Sequence, residues 1–486
     1  MHKSNIDKIS DFSDKINPVL VKELRQGMQG IGFILLFLVL QALLCFILLI
    51  TAADPFDSSS GSVISRIIFF FFSAAVLIFQ PLRGISSLTT EIKGNTLDLL
   101  SITRLNAWKI TYGKWLSIVS QSALLLITIF PYLILRYFFG DMQMFAEILL
   151  LLTIFIISAG LTAIAVALSS INLVLIRSIA PMLAAVFGSL YILGIFSNSY
   201  GYNHIISLMS LDSSTSISIY IGVIVSIIYL AWLSLDFGAS VIAPTSENRS
   251  TRRRIISMLF IGACTLAFVI TDMDVTGALI LSSIAVVPII IISLSERDYL
   301  PIPTALAFTK KGVFGKLIGR VLYPGWHTGV IYTCIIGIIL HVMLFLIKDR
   351  AYILIIDRAY SYSNYHEYMI MLNSVLGTLI FPAALASVFY KKRERTIVQY
   401  MTFLAGSIGL TLIVFITTEA TNQSDLMQIL FWLPFANLFI LEENLLNGLL
   451  FIISCINIAV YLAILFYMSR ASWKELRATE RQVSEL

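Results

Sequence analysis

The run IGFILLFLVLQALLCFILLITAA, residues 31–53, carries no charged side chain. It is long enough to cross a hydrocarbon layer of about 30 Å as a helix, which needs ~20 apolar residues. Working outward from it, the chain repeats the pattern. Twelve apolar runs occur, at 31–53, 66–84, 115–137, 146–169, 177–197, 216–238, 254–271, 276–294, 326–347, 368–390, 397–418 and 445–468. Lipid offers no partner to backbone polar groups, so continuous runs of this length are helices, and the ten-residue alternation of a membrane β-barrel is absent. Over all 486 residues, 58% are hydrophobic, 13% are charged and the mean hydropathy is +0.90. A soluble domain has about twice that share of charge. The fold class read from the sequence is therefore an all-α polytopic membrane protein with twelve transmembrane helices, in a cell (inner or cytoplasmic) membrane.

Loop charge sets the orientation. With the N-terminus in the cytoplasm, 28 of the 33 Lys and Arg fall on the cytoplasmic side; the exceptions are Arg66, Arg136, Lys348, Arg350 and Arg358. That asymmetry follows the positive-inside rule and puts both termini in the cytoplasm. The clusters RRR at 252–254 and KKRER at 391–395 read as retention charges. The polar N-terminal arm lacks the short apolar core and cleavage site of a signal peptide. The expected organisation is a cytoplasmic amphipathic helix within 1–30, a first six-helix half at 31–238, a cytoplasmic linker at 239–253, a second half at 254–468 and a cytoplasmic tail at 469–486. A 6+6 pseudo-repeat is one register. A second register pairs span ten with span two through LIFQP (77–81) and LIFP (379–382). Two external stretches, 198–215 and 419–444, are half apolar and fit either short helices dipping into the outer leaflet or interfacial loops.

Chemistry-bearing patterns are scarce. Cys45, Cys264, Cys334 and Cys455 lie in apolar runs without metal-ligand spacing. No Asp, Glu, Lys or Arg lies inside a span; Arg66, Glu147, Arg177 and Asp236 sit at span ends, and His341 is the ionisable side chain well inside one. Ion-coupled transporters place such groups in the bilayer. KKGVFGKL at 310–317 has Lys310 and Leu317 where a phosphate-binding loop needs Gly and Ser/Thr, so it reads as an amphipathic basic segment. No catalytic constellation and no metal site is read from this chain.

Two cytoplasmic stretches remain. INPVLVKELRQGM, 16–28, places Pro18 at a first helical position and Ile16, Val19, Leu20 and Leu24 on one side, with Lys22, Glu23, Arg25 and Gln26 on the other. EIKGNTLDLL, 91–100, breaks at Gly94 and Asn95; Thr96 can restart a helix with Asp98 in its first turn. Trp108, Tyr112 and Trp115 mark return to the interface.

With these residues the chain resembles the permease subunit of ABC-2 type transporters. The resemblance lies in the N-P-V-L-V-K-E-L-R helix before the first span and E-x-x-x-x-T-L-x-L-L after the second, followed by Arg104, Trp108 and Gly113-Lys114. It covers roughly 16–240. The departures are Gly94 preceding Asn95 rather than Thr96, and about twice the usual number of spans. The resemblance implies an elbow helix with Pro18, Glu23, Leu24 and Arg25. It also implies a coupling segment within 85–114 in which Glu91, Gly94, Thr96, Leu97, Asp98, Leu100 and Arg104 meet a separate ATP-binding subunit, two copies per complex. ATP and Mg would sit on that partner, none on this chain; a second permease chain is a further partner, nucleic acid is not. Export of a cargo follows by implication, with this chain as a transport subunit rather than an enzyme. The competing readings are a secondary transporter and a non-transporting membrane scaffold.

The charge asymmetry predicts that cysteines placed at residues 5 and 478 react with a membrane-impermeant maleimide only after the membrane is permeabilised. Labelling of either site in sealed cells would reverse the topology.

Overall fold

The computed structural model describes residues 18–53, 60–94, 106–138, 143–171, 180–244, 247–271, 275–353, 363–390, 397–421, 425–442 and 447–485. Among them no strand occurs, and eleven helices are long and apolar enough to cross a membrane. The protein is thus an all-α polytopic membrane protein. Of the twelve expected spans, the run at 177–197 differs. It is described only in part, as the apolar helix Ala180–Ser197, and residues 177–179 of it lie outside the described residues. The chain divides into two compact units, 1–244 and 245–486.

In the first unit, α1 (Pro18–Gln29) is the short amphipathic helix and α2 (Ile31–Ala53) the first span. The second span is broken into α3 (Ser60–Ser73), a π-helical stretch (Ala74–Phe79), α4 (Gln80–Gly84) and α5 (Ser87–Lys93). Pro81 supplies no N–H to the Leu77 carbonyl, and the widened turn just before it absorbs that loss. Then come α6 (Ala107–Tyr137), α7 (Met144–Leu168), α8 (Ala180–Ser197), α9 (Ser199–Met209) and α10 (Ser214–Ile242). The half-apolar stretch at 198–215 is therefore helical. Asn198 caps α9 by accepting from the Tyr200 N–H. Tyr202 and Ile206 are buried, and Tyr202 packs its ring against Phe69 and Phe196 at 6.2 and 6.4 Å. Tyr202 meets Glu147 at the start of α7, while Met209 meets Thr153 six residues further along. So α9 descends beside α7 by roughly 9 Å.

The end of this unit where α6 leads into α7 is held by a buried ion pair. Arg136 Nη1 lies 3.4 Å from Glu147, with both side chains almost fully covered. Ser65 and Tyr202 hydroxyls donate to the same carboxylate at 3.3 and 3.4 Å. Arg66 donates to the Ser197 carbonyl. Two of the cations that break the positive-inside pattern thus have local structural partners.

The second unit comprises α11 (Ser250–Ile270), α12 (Val275–Ser295), α13 (Ile302–Thr309), α14 (Gly312–Leu322), α15 (Trp326–Ile353), α16 (Ser363–Phe389), α17 (Ile397–Thr421), α18 (Asp425–Gln428), α19 (Ala436–Glu442), α20 (Asn447–Met468) and α21 (Arg470–Ser484). Helix α14 exposes Val313, Phe314, Leu317 and Ile318, as an in-plane amphipathic segment would. The half-apolar stretch at 419–444 folds back between spans. The Asn457 amide donates to the Phe431 carbonyl at 2.9 Å, the Tyr461 hydroxyl bonds the Trp432 carbonyl, and a Cβ on Gly377 would collide with Pro434. Asn457 and Gly377 lie midway along α20 and α16, so non-helical backbone at 429–435 reaches that depth, with its Phe431 and Trp432 carbonyls satisfied by those two hydrogen bonds, as lipid requires.

Two stretches read from the sequence gain structural detail here. The RRR cluster is more than retention charge: Arg254 is fully buried and donates to the carbonyls of Val321, Tyr323 and Gly325, to Thr328 and to Glu296 (2.7 Å). The expected tail at 469–486 is helix α21, with Ser472, Leu476, Glu480 and Val483 buried along one face. Glu480 pairs with Arg320 at 3.0 Å. Ser472 donates to Asp298 Oδ2 at 2.6 Å, as does Trp326 Nε1–H at 2.8 Å, and His327 Nδ1 lies 2.8 Å from Oδ1. His341, deep in α15, lies 3.0 Å from the Asn373 amide oxygen, the hydrogen-bonding role expected of it.

Burial pushes the Asp298 carboxyl up, but the contact with His327 and the Ser472 and Trp326 hydrogen bonds outweigh it and hold the group below its ordinary 3.8. A carboxylate whose folded pKa is depressed stabilises the fold above its unfolded pKa of about 4, and that stabilisation is lost as pH falls through the lower folded value. Thermal unfolding should therefore drop in temperature below about pH 4, and Asp298→Asn should flatten that dependence while lowering stability at neutral pH.

Candidate functional site around Lys114

The site begins with α1. Its sequence alternates apolar and charged positions at helical spacing, so Val19 turns inward and is buried while Glu23, one turn on, lies on the same side. The following span starts at Ile31, and Gly27 allows close approach: a Cβ there would collide with the Gln121 side-chain amide of α6. Arg83 of α4 completes this joint. It donates to the Gly27 carbonyl at 3.2 Å and to Gln80 at 3.3 Å, bonds Gln121, and stacks over Phe33 at 5.5 Å.

Helix α5 is positioned from two directions. Leu88 is fully buried in a small cluster with Ile110, Ile118, Ala163, Val166 and Leu235. The Leu88 N–H donates to Ser169 Oγ at 3.0 Å, and the Thr89 hydroxyl donates to the Ser169 carbonyl at the end of α7. Gly84 permits this approach, since a Cβ there would press on Ala165 and Val166. Gly94 ends α5, its N–H donating to the Thr90 carbonyl.

The two elements converge on Lys114, in the second turn of α6. Its ammonium donates to Glu23 Oε1 at 2.7 Å and to Glu91 Oε1 at 3.2 Å, with the lysine side chain only 4% exposed. Lys22 lies 3.9 Å from Glu91 and adds a second positive charge at the rim. Two carboxylates from segments distant in sequence thus share one buried cation. Trp108, Tyr112 and Trp115 form a ladder along α6, with centroids 6.2 and 5.3 Å apart, and Trp115 Nε1–H donates to the Ala159 carbonyl. The arrangement ties three segments together through one buried ion cluster, and among the described residues no group of three or more His, Cys, Asp or Glu is placed to hold a metal ion.

Of the residues singled out in the sequence, Pro18 opens α1, Glu23 and Glu91 meet at Lys114, and Gly94 closes α5. Leu24 and Arg25 lie on α1 away from Lys114, half-buried and exposed respectively. Thr96, Leu97, Asp98, Leu100 and Arg104 lie outside the described residues. The sequence reading missed the role of Lys114, Arg83 and Gln121. Lys114 was legible only as part of the Gly113-Lys114 pair, although a lysine at the start of an apolar run always needs an explanation. No family model, curated protein or solved structure matches this chain.

Lys114→Met leaves two carboxylates facing each other without their cation. It should lower stability by about 3 kcal/mol, and adding Glu23→Gln and Glu91→Gln should recover at least about half of that. Thermal unfolding in detergent reads both; a loss that the double change deepens would contradict the shared-cation account.

Proposed function

We propose that this chain is the membrane-spanning permease subunit of an ATP-driven transporter of the ABC-2 type, resident in a cell membrane and coupling a separate ATP-binding subunit to cargo export. The observation that carries the reading is the joint at Lys114. The elbow helix, the segment after the second span and the start of the third span meet at one buried ion cluster on the cytoplasmic side. A docked ATPase that pushed on the segment after α5 would move all three together. Coupling requires such rigid contact with an element that has two states.

The distribution of buried charge supports the same reading. Among the described residues of the first unit, Arg83, Lys114 and Asp236 lie toward cytoplasmic span ends and Arg136 and Glu147 toward external ones. No acid or base lies at mid-span in that unit to bind and release a driving ion, so the energy enters from outside the bilayer. Glu91, Gly94, Thr96, Leu97, Asp98, Leu100 and Arg104 are the proposed docking residues, and Pro18, Glu23, Leu24 and Arg25 the elbow that follows them. ATP and Mg belong to the partner.

Affinity purification of the tagged chain from its native membrane tests this. A P-loop ATPase should accompany the wild-type protein and be lost with Leu97→Asp, while the variant stays monodisperse. Absence of any ATPase under conditions that preserve other complexes would overturn the reading in favour of a scaffold.

A further inference from the structure

The first unit holds a half-open cavity of about 860 Å³ that the coupling joint does not use. Its wall is built from α3 and the π-helical stretch, α4, α7, α8, α9 and α10. On α7 the lining positions include Leu150, Ile154, Ile157, Leu161, Ile164 and Leu168. These recur at helical spacing on one face and extend over roughly 27 Å at 1.5 Å per residue. The track is therefore nearly as long as the hydrocarbon core is thick, about 30 Å. Among the described residues the wall contains no Asp, Glu, Lys, Arg or His.

Shape and chemistry select the occupant. Spread along 27 Å, the volume corresponds to a tube roughly 6 Å across. An uncharged, apolar tube offers nothing to an ion, a sugar phosphate or a charged peptide, whose desolvation would be uncompensated. Alkyl chains, whose carbons pack at about 4 Å, fit its width. On α8 the wall is lowered by Ala184, Ala185 and Gly188, and a Cβ at Gly188 would meet nothing within 4 Å. Ser73 borders the cavity where α3 gives way to the π-helical stretch; it is 1% exposed and its hydroxyl has no hydrogen-bond partner. A buried hydroxyl in that state is a group that a ligand carbonyl or hydroxyl would satisfy.

We propose that the cavity is the binding site for the acyl chains of a membrane phospholipid, with the track along α7 leading them across the hydrocarbon core. That such a lipid is the transported cargo rests on the permease reading above; that the cavity binds it does not.

The test uses the full chain, purified and exchanged stringently into detergent, with the retained phospholipid extracted and quantified by mass spectrometry. Wild type should keep about one phospholipid per chain, as befits a single pocket of this size. Gly188→Trp places an indole in the open volume and should lower retention at least tenfold. Leu161→Trp narrows the tube from the opposite wall and should do the same, so the reading does not depend on one variant folding. Val186→Trp, on the outward side of α8, is the control and should retain lipid like wild type.

Equal retention by wild type and both cavity variants, or none in wild type, would overturn the site. So would loss of a co-purifying protein chain rather than lipid from Gly188→Trp. Retention that follows the cavity variants without any ATPase in the preparation would keep the lipid site and remove the transport reading. An ATPase present with retention indifferent to the variants would do the reverse.

Discussion

A lysine buried between two glutamates cannot let either go cheaply. Lys114 is 4% exposed, and its ammonium is neutralised by Glu23 of α1 and Glu91 of α5. Removing an ion from water costs several kcal/mol, and only close, well-directed partners return it. If α5 moved alone, the Glu91 contact would break in a poorly solvated place; if α1 moved alone, Glu23 would. The low-energy motion carries α1, α5 and the start of α6 together. The remaining contacts act in the same sense: Arg83 ties α4 to the Gly27 carbonyl, and Ser169 ties α5 to the end of α7.

The same rule organises the other described ends. In the first unit, Arg136 and Glu147 neutralise each other and take hydrogen bonds from Ser65 and Tyr202, which fixes the descent of α9. In the second unit, Arg254 satisfies three carbonyls of the 321–325 turn and Glu296, while Asp298 gathers Trp326, His327 and Ser472. Polar connection sits at span ends, and apolar packing with scattered amide and hydroxyl bonds fills the middle. That division leaves the interior of the first unit free to form an uncharged cavity.

How much of this was legible in the sequence follows from which forces have a local signature. Hydrophobic length is local, so the helical membrane class, eleven of the spans and the amphipathic α1 are written in short windows of residues. Pairings across long separations are not. Glu23, Glu91 and Lys114 were each visible singly, but nothing in their spacing announces that the fold brings them together. Arg254 read as a topogenic charge because a cluster of arginines beside a span has that role by default; its burial depends on the 321–325 turn, contributed from elsewhere in the chain. Helix α21 read as a tail because its mean polarity is high, although Ser472, Leu476 and Glu480 already recur at four-residue spacing. The stretch at 419–444 was ambiguous because its apolar part is too short to cross and too long to ignore. The structure resolves it through single bonds from Asn457 and Tyr461 that no pattern encodes.

The central claim is that α1 and α5 are one mechanical unit because they share Lys114. Amide hydrogen exchange measured peptide by peptide on the purified chain, with and without Lys114→Met, tests it directly. The account predicts that exchange in 18–29 and in 87–94 rises together in the variant, each by about tenfold or more, while α8 is unchanged, since segments that open cooperatively share one opening free energy. A rise confined to one of the two segments, or none in either, would contradict it.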